Sequence, residues 1–190
     1  EGFNQFSLVS GAVQDHTDAT GNTFFIAVWG SGLLKWDRRK NSFQHFHQNN
    51  SGLRNNQVFN LLQDKNGFIW TADVGVSRYD PRTGNWRSWP CFSKRINDNN
   101  MLMSCIEDAD GGLWFGANNS GLYHYDPRMD KLVEVELPQE AYNERGRLRI
   151  YNMCLDQQGR IWMATTVRPI RFDPRTGQAE VFFVKNTEPR

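Results

Sequence analysis

Asp64-Lys65-Asn66-Gly67-Phe68-Ile69-Trp70 is the stretch that decides the fold, because it recurs. It returns as Asp108-Ala109-Asp110-Gly111-Gly112-Leu113-Trp114 and as Asp156-Gln157-Gln158-Gly159-Arg160-Ile161-Trp162. An earlier copy, Asp18-Ala19-Thr20-Gly21-Asn22-Thr23-Phe24, has Phe where the others have Trp. The glycines at 21, 67, 111 and 159 are 46, 44 and 48 residues apart, the period of a four-stranded propeller blade. A second marker keeps step: Asp80-Pro81-Arg82-Thr83-Gly84, Asp126-Pro127-Arg128 and Asp173-Pro174-Arg175-Thr176-Gly177, with Asp37-Arg38-Arg39 as a degenerate first copy.

Both markers read as turns. Gly in Asp-x-x-Gly accepts positive φ, and the Asp side chain can bond nearby backbone N–H groups. In Asp-Pro-Arg-Thr-Gly, Pro presets the second position of a type I turn and Gly closes a short hairpin loop. Neither fits a phosphate cradle or a calcium loop, for want of the P-loop Lys and of a suitably placed Glu.

Between the turns lie short stretches rich in Val, Ile, Phe, Tyr and Trp, which suit half-buried strands. In the second unit these are expected at 58–63, 68–72, 76–80 and 85–89, and only 138–145 has the makings of a helical turn. The chain is therefore read as all-β: a propeller of about four blades, near 7–47, 53–90, 100–138 and 148–184, forming one domain that is a fragment of a larger ring. A lone meander cannot bury both faces, so large residues must wedge between stacked blades. Phe24, Trp70, Trp114 and Trp162 are the expected wedges. Cys105 and Cys154, in equivalent first strands, read as small core residues.

Composition agrees with this architecture. The chain has 190 residues, 38% hydrophobic and 13% aromatic, with a formal net charge of +1. No apolar run approaches a membrane span, and no basic excess supports nucleic-acid binding. Three cysteines, Cys91, Cys105 and Cys154, without a Cys-x-x-Cys pair, suggest neither a disulfide framework nor a metal or other cofactor. The opening residues lack signal-peptide design, as expected if a leader has been removed or the chain belongs to something longer.

The run Val58-x-x-Leu61-x-x-Asp64-x-x-Gly67-x-Ile69-Trp70-x-Ala72-x-x-Gly75-Val76-x-x-Tyr79-Asp80 resembles the two-component regulator propeller repeat. So do Gly52-Leu53-x-x-Asn56-x-Val58 upstream of it and Gly121-Leu122-Tyr123-His124-Tyr125-Asp126 in the third unit. The resemblance implies the extracytoplasmic, periplasmic sensor region of a hybrid two-component system of Bacteroides type. It also implies about seven blades per propeller, an oligosaccharide ligand, and a kinase domain downstream in the parent chain. Ala72 and Ala117 depart from the usual Thr after the Trp, and Arg168-Pro169-Ile170 replaces the usual Gly-Leu.

If each first strand is innermost, the two repeated turns share one face of the disk, and the variable loops share the other. Varied loops on a rigid scaffold are where binding usually resides. That second face is expected to gather Trp29, Arg54, Asn56, Asp73, Asn99, Asn118, Asn119, Arg147, Arg149, Tyr151 and Arg168, with Asn49, Asn50, Asn97 and Asn100 nearby. Amides and guanidinium groups suit sugar hydroxyls, and Arg suits carboxylate or sulfate. An enzyme is the rival reading, since related-looking propellers include sialidases and a streptogramin lyase. The histidines do not converge on the strand map, however: His16 is in a turn, His45 and His47 are on an outer strand, and His124 is mid-strand. Glu107 is the best stray carboxylate. A module that docks a partner or dimerises through unpaired blade edges is the third reading.

Overall fold

The computed structural model describes residues 8–93 and 98–183. Four antiparallel sheets follow one another along the chain, each a simple four-stranded meander. Blade 1 comprises β1 (Leu8–Gln14), β2 (Thr23–Trp29), β3 (Gly32–Asp37) and β4 (Ser42–Phe46). Blade 2 comprises β5 (Asn60–Gln63), β6 (Ile69–Asp73), β7 (Gly75–Tyr79) and β8 (Trp86–Trp89). A two-stranded ribbon, β9 (Phe92–Ser93) with β10 (Asp98–Asn99), interrupts the connection to blade 3. Blade 3 comprises β11 (Leu102–Glu107), β12 (Leu113–Ala117), β13 (Leu122–Asp126) and β14 (Lys131–Glu134). Blade 4 comprises β15 (Ile150–Leu155), β16 (Ile161–Thr165), β17 (Ile170–Asp173) and β18 (Gln178–Val181). Among the described residues a single 3₁₀ turn, Gln139–Ala141, falls in the 138–145 stretch expected to hold a helical turn.

The first strands of successive blades pack against one another, so they are innermost. The Asp-x-x-Gly and Asp-Pro-Arg turns therefore share one end of the strands, here the turn face. The second-to-third-strand turns and inter-blade connections share the other, the loop face. On the turn face Gly67, Gly111 and Gly159 take φ of 88°, 84° and 76°. The position closing the Asp-Pro-Arg turn also has positive φ in all four blades, filled by Asn41, Gly84, Asp130 and Gly177. Asn and Asp are the non-glycine residues that tolerate this conformation best.

The Asp of the repeat does more than make a turn. Asp64 Oδ1 accepts the N–H groups of Asn66 and Phe68, and its Oδ2 accepts the Trp70 indole N–H at 2.7 Å. Asp108 treats Asp110, Gly112 and Trp114 in the same way, and Asp156 treats Gln158, Arg160 and Trp162 likewise. One carboxylate thus ties the turn to the wedge six residues later, which fixes the indole's direction.

Each wedge enters the next blade. Trp70, 1% exposed, packs with Trp89, Leu113, Phe115 and Tyr125 between blades 2 and 3. Trp114 packs with Ile150, Ile161, Met163 and Phe172 between blades 3 and 4. Trp162 points the same way from blade 4, beyond which the described residues hold no further blade. It is only half-buried, stacked on Phe182 at 5.1 Å.

Blade 1 requires a correction. The wedge into blade 2 is Phe25, fully buried against Ile69 and Tyr79, rather than Phe24. The reason is the turn length. Asp15 N–H bonds Thr23 C=O across eight residues, where Asp64 bonds Phe68 across four. The Asp18-x-x-Gly21 motif, with Gly21 at φ 64°, therefore sits one residue out of register with the wedge. Phe24 lies on the opposite side, tilted against Trp36, which in turn stacks on Phe43.

A second correction concerns the thiols. Cys105 pairs with Phe115 across its hairpin, whereas Cys154 pairs with Trp162, whose equivalent in blade 3 is Trp114 opposite Ile106. The two cysteines are one residue apart in register and face opposite sides. Cys91 and Cys105 are buried, and Cys154 is exposed on the open side of blade 4. Burial pushes the Cys105 thiol up to about 12.

Candidate functional site

On the loop face the second-to-third-strand turns are clamped by backbone. Gly32 N–H bonds Asn56 C=O and Gly121 N–H bonds Leu148 C=O, both at 3.0 Å, tying each turn to the strand entering the next blade. A side chain at Gly32 or Gly75 would place Cβ 2.3 or 2.5 Å from a carbonyl of the outer strand, so only glycine fits. Blade 4 has Pro169 there instead. Its turn is held by Thr165 Oγ1, which accepts from Val167 and Arg168 N–H and donates to Arg168 C=O.

The expected binding residues fall into separate groups. Around the junction of blades 3 and 4, Arg149 Nε donates to Asn118 C=O at 3.3 Å, and the guanidinium lies beside the exposed Tyr151, with Nη1 at 3.4 Å from its hydroxyl. Asn119 C=O accepts Leu148 N–H in the same place. This is a connected patch of arginine, tyrosine and amides. Arg147 is exposed nearby, its backbone closing a turn with Asn143. Arg168 is turned toward Glu140 C=O and Phe183. Trp29 is 42% exposed, with its ring 6.5 Å from Phe59.

Two expected residues do not present themselves to a ligand. Asn56 spends its side-chain carbonyl on Gln48 N–H at 2.8 Å, making it part of the turn. Asp73 is 0% exposed. Its Oδ2 accepts from Thr71 and Ser77 hydroxyls at 3.2 and 3.1 Å, and its Oδ1 has no partner among the described residues. Asp73 ends a strand, β6, whose five residues are all buried, so neither face of the strand leads to solvent. Burial pushes its carboxyl up to about 7, against the hydroxyls of Ser77 and Thr71 and the charge of Arg54. Arg54 lies exposed beside it, with Nε on Val74 C=O at 3.2 Å. Asn99 pairs through its backbone with Phe92, and Asn97 lies outside the described residues.

The histidines remain apart. His45 Nε2 contacts Ser31 C=O at 2.6 Å and its ring meets that of His47 at 5.2 Å, both on the outer strand side of blade 1. His124 lies against Trp114, ring to ring at 4.3 Å, and burial holds its imidazole below the ordinary value. Glu107 accepts Lys65 N–H through Oε2, and burial raises its carboxyl. Among the described residues no group of three His, Cys, Asp or Glu is placed to hold a metal ion.

Residues 52–75 and 146–166 match the family model described as two component regulator propeller. Two segments of the chain thus match the regulator-propeller repeat. Both matched segments run from a loop-face connection through the inner strand and the Asp-x-x-Gly turn into the wedge strand. Among solved structures, the extracellular domain of BT4673 from B. thetaiotaomicron, described as a hybrid two component system, superposes with TM-score 0.73 at 20% identity, covering 87% of this chain and 21% of that one. The extracellular domain of BT3049 from the same organism gives 0.70 at 14% identity, covering 94% and 22%. The WD40 repeats of RRP9 give 0.67 at 10% identity, covering 95% and 52%. These likenesses show the propeller fold. The chain spans about a fifth of the length of the two extracellular domains. No curated protein matches the sequence. Among the described residues no helix is long and apolar enough to cross a membrane.

Proposed function

We propose that this chain is part of the extracytoplasmic sensor propeller of a two-component regulator, and that it binds an oligosaccharide at the loop face without cleaving it. The patch of Asn118, Asn119, Arg149 and Tyr151 carries the reading. It offers a ring for stacking, a fork of donors and amide groups, all held by backbone contacts across one blade junction. Sugar hydroxyls both donate and accept, so this mixture suits them. The repeats and the extracellular origin of the two superposed domains support the sensor role.

The open sides of blades 1 and 4 fit a parent propeller with further blades. Among the described residues Trp162 stands in the wedge position with only Phe182 stacked on it, and Phe24, Trp36 and Phe43 form an aromatic cluster on the side of blade 1 away from blade 2. Further blades cover both sides in the parent chain, and in the isolated fragment a second copy is the alternative cover.

Calorimetric titration against neutral and acidic oligosaccharides, with a parallel assay for cleavage, tests the reading. Binding without turnover, lost in Arg149→Gln and Tyr151→Ala, is the expected result. Turnover, or binding indifferent to both variants, refutes it.

A further inference from the structure

The third strand of every blade places a cationic or imidazole side chain beside the wedge. Lys35 lies over Phe25, Arg78 over Trp70 and Arg171 over Trp162, at 5.8, 5.5 and 5.7 Å, and the His124 ring lies tilted against Trp114. Arg171 is ion-paired with Glu180. Arg78 differs: among the described residues its guanidinium has no hydrogen bond and no ion pair, only the rings of Phe68, Trp70 and Trp89 around it. A guanidinium has five N–H donors, and half-burial without an acceptor leaves them seeking one.

Those donors open into a cleft of about 620 Å³ on the turn face, spanning blades 2 to 4. His124 and Arg175 line the same cleft, and neither side chain makes a hydrogen bond or ion pair among the described residues. Phe68 and Trp114 supply apolar walls. Asp64 and Asp108 also border it, but each carboxylate already accepts three N–H groups. Asp110 is the remaining acid, exposed on its turn. The cleft has the size of a small-molecule site, with unused donors facing apolar walls.

We propose that this cleft binds a carboxylate-bearing ligand, with Arg78 taking the carboxylate in its planar fork and Arg175 closing over it. The site is separate from the loop face and stands whether or not that face binds sugar. Asp110 opposes an anion, so its charge tunes affinity downward.

Calorimetry on the full chain with benzoate, digalacturonate and neutral galactobiose tests this. An aromatic acid and an acidic saccharide would each supply the carboxylate, and the first two probes distinguish those sources. Arg78→Gln is expected to weaken the carboxylate probe by ~10-fold or more, the cost of one charge-assisted bond. Arg175→Gln should weaken it less, and Asp110→Asn should tighten it. The latter two residues are exposed, so their variants keep the test valid if Arg78→Gln fails to fold. Binding of galactobiose that Asp110→Asn weakens overturns the inference, as does the failure of both acids to bind. Acid binding abolished by Arg149→Gln and untouched by Arg78→Gln and Arg175→Gln also overturns it, while leaving the loop-face reading intact.

Discussion

Replacing Trp70 by Phe isolates the bond that ties turn to wedge. The ring position stays filled, but Asp64 Oδ2, in a side chain only 3% exposed, loses the indole N–H at 2.7 Å. A buried hydrogen bond to a charged acceptor contributes about 2 kcal/mol, and the smaller ring gives up about 1 kcal/mol of apolar burial. The expected loss of about 3 kcal/mol lowers Tm by roughly 6–12 °C for a chain of this length. Trp162→Phe is the internal control. Trp162 makes the same bond to Asp156 but is half-exposed, and Arg160 Nε also donates to that carboxylate at 2.7 Å. Water and Arg160 replace the lost donor there, so the control should lose only a small fraction of that shift. Urea and thermal unfolding of both variants, with Asp64→Asn added to close a double-mutant cycle, give the comparison. A Trp70→Phe change within ~0.5 kcal/mol of the parent, or equal losses at the two tryptophans, refutes the argument.

Three further outcomes are expected. Asp130 accepts Tyr125 hydroxyl and Trp89 indole at 2.9 and 3.0 Å and pairs with Arg87, and these contacts, Tyr125 first, hold its carboxyl below the ordinary value. Asp130→Gly keeps the positive φ and removes only the acceptor, so Tm should fall at neutral pH and the difference should vanish as pH drops below the acid's folded value; a constant difference contradicts this. Asp73 shows the opposite sign: its folded value of about 7 exceeds the unfolded one, so its contribution is full at low pH and lost as pH rises through 7. Asp73→Asn should therefore gain on the parent between pH 5 and pH 8 by chemical denaturation, and parallel curves would exclude it. A maleimide should label Cys154 in the native chain and leave Cys91 and Cys105, whose thiols burial pushes up to about 12, unmodified until denaturation.

The blades were legible because the repeat is a turn motif, and turns have local chemistry. Asp-x-x-Gly and Asp-Pro-Arg announce reversals in the residues that make them, and the all-β propeller follows from their spacing. Register was less legible. In blade 1 a longer turn moves the wedge from Phe24 to Phe25, and both residues are Phe, so composition gives no sign of the shift. The same one-residue offset separates Cys105 from Cys154. The loop face was legible as a face, from topology, but its members were not. Asp73 is covered because both faces of its strand are buried between blades, and Asn56 holds the preceding turn through Gln48.

Repetition also hides where chemistry is stored. Turn and wedge positions recur because each blade must fold and stack, so they say little about a ligand. The position beside the wedge is held to a looser rule: Lys35, Arg78, His124 and Arg171 all satisfy an aromatic face, yet they differ in what else they need. A blade can stack with any of them, which leaves their remaining donors open to other uses. In blade 4 that capacity is absorbed by Glu180. In blades 2 and 3 it opens toward the cleft between their turns, where no described residue uses it. A structural cation–π contact thus positions a binding donor whose remaining N–H groups are left for a ligand. Exchanging Arg78 and His124 between their blades should preserve Tm while changing affinity for the carboxylate probe. A matched loss of both would mean that the two side chains serve packing alone.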